Sequence, residues 1–257
     1  MAVSDDPRHG GADFGAPIPA RDRRFKAFLR FIVAKGIISW FNRLRVVDHH
    51  KIPTTGPVII APSHRSNVDT PFLGAALKRE QRFMAKESIF KSPFWTRFIV
   101  ALGGFPVKRG SLDRETLNNA RDILARGEML VLYPEGARQE GPRIKPVFEG
   151  AVWIAARAGV PIIPAGIGGS HGVMPIGVKL PRPKKVVVLF GDPMYVGDPD
   201  SGKRVRRSEL DAAAAELRER LQEVFDQAQI LAGTPNPEWS EDEPGINDRN
   251  EPWADGE

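Results

Sequence analysis

The sequence predicts an α/β fold: a single domain with a central mixed, mostly parallel sheet flanked by helices, plus an N-terminal amphipathic helix. Short apolar runs of strand length alternate with helical patterns through the middle of the chain, the order that βαβ units produce. At 257 residues the chain is long enough for one substantial core with appendages. Apolar residues at 41% and charged residues at 27% are those of an ordinary globular protein.

Residues 1–20 are rich in Gly, Pro, Asp and Arg and read as disordered. The segment 21–44 carries a helical pattern over about Arg21 to Arg43. Phe25, Phe28, Leu29, Ile32 and Trp40 share one face, and Arg23, Lys26 and Arg30 gather on another. Such a basic helix with aromatic anchors can lie in a bilayer interface or pack on the domain. The main domain spans 45–232. Its strand candidates are Val58–Pro62, Arg82–Lys86, Gly104–Lys108, Met129–Tyr133, Val160–Ile167 and Lys185–Phe190. Helices fall between them, at about Asn67–Arg79 and about Leu112–Arg126. The second has Ser111 as its cap, acids Asp113 and Glu115 in its first turn, and Gly127 just past its end. Two more run from Glu149 to Ala158 and from about Arg206 to Ala232; Leu210, Ala214, Leu217, Leu221 and Phe225 lie along one face of the last. The remainder, 233–257, reads as an acidic disordered tail.

Charge is unevenly divided. The formal charge is +5, but the segment from Gly233 onward has eight acids and one base, Arg249, a net of −7, so the first 232 residues carry +12. A basic body suits phosphate-bearing substrates, anionic lipid surfaces or acidic carrier proteins. Nucleic acid is not expected, since no helix-turn-helix, zinc-finger or RNP pattern is present. The absence of cysteine excludes disulfides, thiolate metal sites and a cysteine nucleophile. The five histidines form no ligand spacing beyond the adjacent His49-His50, so no metal is expected. No apolar run reaches the ~18 residues of a membrane span, and the N-terminus lacks a signal-peptide pattern. The expectation is a cytoplasmic protein, soluble or bound to a membrane surface.

The chemistry is concentrated in four blocks. Ser63-His-Arg-Ser-Asn-Val-Asp69 places His64 and Asp69 just after the apolar run Val58–Ala61. An imidazole can accept and return a proton near neutral pH, and a nearby carboxylate can hold one tautomer and stabilise the imidazolium. On an ideal helix an i, i+5 pair is offset by ~140°. His64 must therefore lie on the turn before a helix, with Ser66 or Asn67 near the cap and Asp69 in the first turn. Next, Gly103-Gly-Phe-Pro-Val-Lys-Arg109 sets Lys108 and Arg109 beside glycines that let a ligand approach the backbone. Tyr133-Pro-Glu-Gly-Ala-Arg138 then carries Glu135, Gly136 and Arg138 on a turn after a strand, and Val160-Pro-Ile-Ile-Pro164 is a further buried-strand pattern.

Across roughly residues 45–195, these four blocks, in this order, resemble the glycerophospholipid acyltransferase family, the PlsC-like enzymes that acylate glycerol 3-phosphate and lysophosphatidic acid. The family patterns N-H-x-S-x-x-D, G-x-x-F-x-x-R, F-P-E-G-T-R-S and V-P-x-x-P read here S-H-R-S-N-V-D, G-G-F-P-V-K-R, Y-P-E-G-A-R-Q and V-P-I-I-P. The resemblance implies an acyltransferase domain over 45–232 in which His64, supported by Asp69, activates an acceptor hydroxyl for attack on a thioester. Arg109, with Lys108, would bind the acceptor phosphate, because the planar guanidinium makes paired bonds to phosphate oxygens. Glu135 and Gly136 would shape the acceptor site, with Arg138 as a second phosphate contact. The co-substrates implied are acyl-CoA or acyl carrier protein and a lysophospholipid, with no cofactor. The implied partner surface is anionic lipid at the inner face of the cell membrane. The favoured acceptor is 1-acylglycerol 3-phosphate; glycerol 3-phosphate or another lysophospholipid is the alternative.

The chain departs from the pattern at Tyr133, where the family has Phe, and at Ala137, where a Thr hydroxyl is lost. The family's F-K-x-G lysine is also absent before Gly150, the nearest being Lys145. Pro161 and Pro164 are expected to shape a strand edge and the pocket wall. The apolar stretch Phe90–Leu102 is read as core, or as a segment that lines an acyl-chain tunnel or dips into the membrane. Gly168-Gly-Ser-His-Gly172 matches the G-x-S-x-G elbow of serine hydrolases, but no helical pattern follows and no histidine occurs after His171. A non-enzymatic lipid-surface module would explain the charge but not the ordered blocks.

Overall fold

The computed structural model describes residues 43–87, 90, 92, 96, 99–100, 103–107, 114–175, 177–178, 180–198 and 205–236. The N-terminal segment before Arg43, the acidic tail beyond Asn236, Ser111, and the candidate residues Lys108 and Arg109 lie outside these. The described strands are β1 (Leu44–Val47), β2 (Val58–Pro62), β3 (Gln81–Lys86), β4 (Gly104–Val107), β5 (Met129–Val131), β6 (Ile162–Gly168) and β7 (Val186–Phe190). The helices are α1 (Asp69–Ala76), α2 (Arg114–Ala125), α3 (Glu149–Ala158), α4 (Ser170–Val173) and α5 (Arg207–Ala232), with a 3-10 turn at His49–Lys51.

The strands form one sheet in the order β1-β7-β6-β2-β5-β3-β4. All pairings are parallel except β6 with β7, so the sheet is mixed and mostly parallel. Alternation along the strands divides the core in two. Ile59, Ala61 and Leu130 pack with Ala151, Val152 and Ala155 of α3 on one face. Val58, Ile60, Met129 and Val131 pack with Phe72 and Leu73 of α1 on the other. The chain leaves β2 toward β3 on one side and leaves β5 toward β6 on the other, so the crevice at the carboxyl ends of β2 and β5 is a topological switch point. Open α/β sheets bind ligands at such crevices.

Helix α5 lies against β6 and β7. Leu221, Val224, Phe225 and Ala228 pack on Val187 and Leu189, and each fully buried large apolar side chain contributes about 1.5–3 kcal/mol. The approach is close enough that a Cβ on Gly166 or Gly168 would overlap the backbone carbonyls of Val224 and Ala228. Gly233, at φ +83°, ends this helix by turning into the left-handed region.

The observed bounds differ from the sequence reading where tertiary bonds intervene. α1 stops at Ala76 because Leu77 is extended, and the Arg79 guanidinium instead donates to the carbonyls of Pro53, Gly56 and Gly127. β1 is a strand that the pattern Leu44-Arg-Val-Val47 does not signal. Pro164 sits inside β6, an interior strand, rather than at an edge. There its carbonyl accepts the Gly191 N–H at 2.8 Å, and the missing proline donor falls where pairing to β7 has ended. Within the stretch Phe90–Leu102, Phe90 is buried and Ile99 and Val100 pack on the core, whereas Phe94, Trp95 and Phe98 lie outside the described residues.

Candidate active site

The loop from Ser63 to Val68 carries the chain from the end of β2 into α1, and its geometry is set by the Asp69 side chain. Asp69 is the first residue of α1 and fully buried. Its Oδ2 accepts the backbone N–H groups of Arg65 and Ser66, each at 2.7 Å, and faces His64 Nδ1 at 2.8 Å. His64 thus lies on the turn before the helix and Asp69 in the first turn, although the cap position belongs to Val68 and makes no side-chain bond. A carboxylate only accepts, so Nδ1 carries the proton and Nε2 presents its lone pair. The His64 side chain is 17% exposed, open to a substrate while its partner is closed to water. Ser63 and Ser66 tie this loop to neighbouring elements: Ser63 Oγ accepts the Ile167 N–H of β6 at 3.0 Å, and Ser66 Oγ donates to the Met174 carbonyl at 2.7 Å.

The turn after β5 closes the other side. Tyr133 stacks on the His64 ring with centroids 4.0 Å apart and planes 26° from parallel. Its hydroxyl bonds Thr70 Oγ1 of α1 at 2.8 Å, an anchor that the family's Phe would not supply. Burial first, and then the Asp69 charge, push the Tyr133 phenol well above its ordinary pKa, against a smaller lowering by the Thr70 bond. Gly136 has φ +68°, and a Cβ there would sit 2.6 Å from the Phe148 ring; only glycine makes this turn without strain.

Glu135 is 2% exposed. Its oxygens accept from Arg65 Nη1 at 3.0 and 2.8 Å, from the His64 N–H at 3.3 Å and from the Lys145 N–H at 3.0 Å. Its influence on any acceptor therefore runs through the loop it holds. Arg138 is partly exposed, makes no hydrogen bond or ion pair with the described residues, and neighbours Gln139, whose N–H donates to the His64 carbonyl at 2.9 Å. The structure thus brings His64, Asp69, Glu135 and Gly136 into one bonded unit with Arg138 beside it. Sequence reasoning missed Arg65 and Thr70, whose partners stand 70 and 63 residues away; the only local signal was that Arg65 lies inside the first block and Thr70 directly after it.

The G-x-S-x-G segment does form a strand, a turn at Gly169 with φ +78°, and a short helix, α4. Ser170 Oγ is nevertheless buried with no hydrogen-bond partner among the described residues, so none of them addresses it as a base. Among the described residues no group of three or more His, Cys, Asp or Glu is placed to hold a metal ion, and no helix is long and apolar enough to cross a membrane.

The acyltransferase family model matches residues 43–168, which include β1 through β6 and both active-site loops. A 1-acyl-sn-glycerol-3-phosphate acyltransferase of Bacillus subtilis is 27% identical over 165 residues, covering 64% of this chain and 80% of that protein. One of Streptococcus pneumoniae is 26% identical over 225 residues, 85% of this chain and 80% of that protein. A chloroplastic relative from Brassica napus is 27% identical over 177 residues, 67% of this chain, and is spanned over only 51% of its own length. Among solved structures, the 1-acyl-sn-glycerophosphate acyltransferase PlsC of Thermotoga maritima aligns with TM-score 0.61 at 25% identity, covering 78% of this chain and 80% of that one. With the first and third blocks meeting at the carboxyl ends of β2 and β5, and with these likenesses in sequence and fold, residues 43–168 of the chain belong to the acyltransferase family.

Proposed function

We propose that the protein is a 1-acylglycerol-3-phosphate O-acyltransferase, moving a fatty acyl group from acyl-CoA or acyl carrier protein to 1-acylglycerol 3-phosphate to give phosphatidic acid. The observation that carries the reading is the His64–Asp69 pair, 2.8 Å apart at the switch-point crevice, with Nε2 left to accept a proton. The acceptor hydroxyl gives its proton to Nε2 as its oxygen attacks the thioester carbonyl. The tetrahedral intermediate collapses with cleavage of the C–S bond, and His64 returns the proton to the leaving thiolate. Asp69 orients the ring and offsets the charge of the imidazolium. No acyl-enzyme is needed, and the chain has no cysteine to form an acyl-cysteine. Arg138, lacking a charge partner among the described residues, is assigned to the acceptor phosphate together with Lys108 and Arg109. The names of the Bacillus and Streptococcus relatives favour this acceptor; glycerol 3-phosphate or another lysophospholipid is the second reading, because the same blocks serve all of them.

The setting proposed is the inner face of the cell membrane, against anionic lipid. β1 runs parallel to β7 and β7 antiparallel to β6, so the chain enters at Leu44 on the same end of the sheet as His64, directly after the basic amphipathic segment. On that end the loop before β7 exposes Leu180, 78% accessible, next to the exposed cations Arg182 and Lys185. Cations around an apolar tip suit an anionic bilayer surface.

The test is acyl transfer from labelled acyl-CoA and acyl carrier protein to lysophosphatidic acid, glycerol 3-phosphate, lysophosphatidylglycerol and water, with wild type and His64→Ala. Transfer to lysophosphatidic acid that is lost in the variant supports the reading. Release of free acid alone, undiminished by His64→Ala, refutes it.

A further inference from the structure

We infer that Arg65 is a positioning residue for the acyl-transfer step, acting through Glu135 to fix the backbone of His64; the inference rests on the acyltransferase reading above. An arginine beside a catalytic histidine in a phosphate-handling enzyme invites assignment to the substrate. The structure assigns it elsewhere. Arg65 is 3% exposed, and all three guanidinium nitrogens have acceptors within the protein. Nη1 donates to both Glu135 oxygens and to the His64 carbonyl at 3.0 Å, Nη2 to the Arg143 carbonyl at 2.9 Å, and Nε to the Gly141 carbonyl at 3.2 Å. The guanidinium carbon lies 4.8 Å from the centre of the Phe225 ring on α5. With these partners the fork faces away from any ligand.

The consequence falls on His64. Glu135 accepts the His64 N–H, while Arg65 and the Gln139 N–H both donate to the His64 carbonyl. The Arg65 N–H itself is bound by Asp69. The peptide groups on both sides of His64 are therefore pinned by one buried pair and its neighbours, which leaves the ring only its side-chain torsions, limited in turn by Asp69 and Tyr133. Neither member of the pair touches a ring nitrogen of His64. A buried ion pair is costly to desolvate and more damaging to break than to replace. Here its burial couples the turn after β5 to the loop after β2, the two halves of the crevice.

The test uses the full-length protein with acyl-CoA and the acceptor that wild type uses. Arg65→Met, Arg65→Lys, Glu135→Gln and the double variant Arg65→Met/Glu135→Gln are each made with and without His64→Ala, and thermal unfolding checks each for folding. Misplacement of a reacting group by about 1 Å costs about 100-fold, so Arg65→Met is expected to lower kcat by about that factor with both KM values nearly unchanged. Arg65→Lys recovers part of the loss, because an ammonium still reaches Glu135. The double variant falls no lower than Arg65→Met, since both substitutions remove one interaction. In the His64→Ala background neither substitution alters the residual rate. If Arg65→Met does not fold, Glu135→Gln decides by the same division between kcat and KM. A folded Arg65→Met with wild-type kcat, additive losses, or a loss confined to acceptor KM would overturn the inference, the last by making Arg65 a substrate ligand. A wild type that transfers acyl groups to no acceptor sinks the acyltransferase reading itself, and the two failures are distinct.

Discussion

Substituting Asn for Asp69 separates the two services that the carboxylate is proposed to perform. The N–H groups of Arg65 and Ser66 converge on Oδ2 at 2.7 Å. An amide nitrogen at that place would point its hydrogens at two donors, so the Asn oxygen must occupy it and the amide nitrogen must take the place of Oδ1, which has no hydrogen-bond partner among the described residues. The Asn oxygen still accepts from Nδ1, and the His64 tautomer survives. Only the negative charge is lost. For unit charges about 4 Å apart in a site of effective dielectric about 20, Coulomb's law gives about 4 kcal/mol. The burial of Asp69 and the 17% exposure of His64 make that intermediate dielectric the appropriate one. At 1.4 kcal/mol per tenfold, Asp69→Asn should slow the chemical step by about a thousandfold.

The imidazolium forms only in the reaction, so kcat and kcat/KM should fall together. Asp69→Asn buries an amide NH2 group without an acceptor among the described residues at the Oδ1 place, at about 1–3 kcal/mol, and Asp69→Ala strands the two backbone N–H groups at about 1–3 kcal/mol each. Single-turnover acyl transfer at saturating substrate measures the first effect, and thermal unfolding the second. An Asp69→Asn enzyme within tenfold of wild type, with chemistry shown to be rate-limiting, would refute the electrostatic role.

Three further outcomes are expected. Absorbance at 295 nm, followed for wild type against Tyr133→Phe, should show the Tyr133 phenol silent through the ordinary phenol range until the protein unfolds. Because the folded Tyr133 pKa is raised, its contribution to stability is present below about pH 10 and is lost as pH rises above it; equal alkaline stability in Tyr133→Phe and wild type would contradict this. Gly136→Ala forces a side chain into the left-handed region, about 1–2 kcal/mol, and against Phe148. The melting temperature should drop by about 2–8 °C, and an unchanged value would show that the turn relaxes freely. Reversing the exposed cations with Arg182→Glu and Lys185→Glu should weaken sedimentation with phosphatidylglycerol vesicles, at about 1 kcal/mol for each basic charge removed, while leaving phosphatidylcholine vesicles unaffected; equal binding to anionic vesicles would remove this loop from the membrane contact.

What the sequence determined by itself is the local structure and the site's vocabulary. β2 and α3 have the bounds read from the apolar run Val58–Pro62 and from the pattern Glu149–Ala158 closed by Gly159. The His64–Asp69 geometry follows from helical pitch, and the four blocks lead to the family. These features are written within about ten residues, the range over which periodicity and capping act. Tertiary structure decided the rest. Leu44–Val47 is a strand because β7 offers it a parallel partner; on its own, an edge strand with exposed Arg45 and Val46 carries no alternation to read. Arg65 and Glu135, 70 residues apart, become a buried pair, and Tyr133 becomes the wall of the His64 ring. A charged residue in a loop is expected in water. Only the crossing of the β2 and β5 connections at the switch point brings these two loops face to face, and burial then makes each charge require the other.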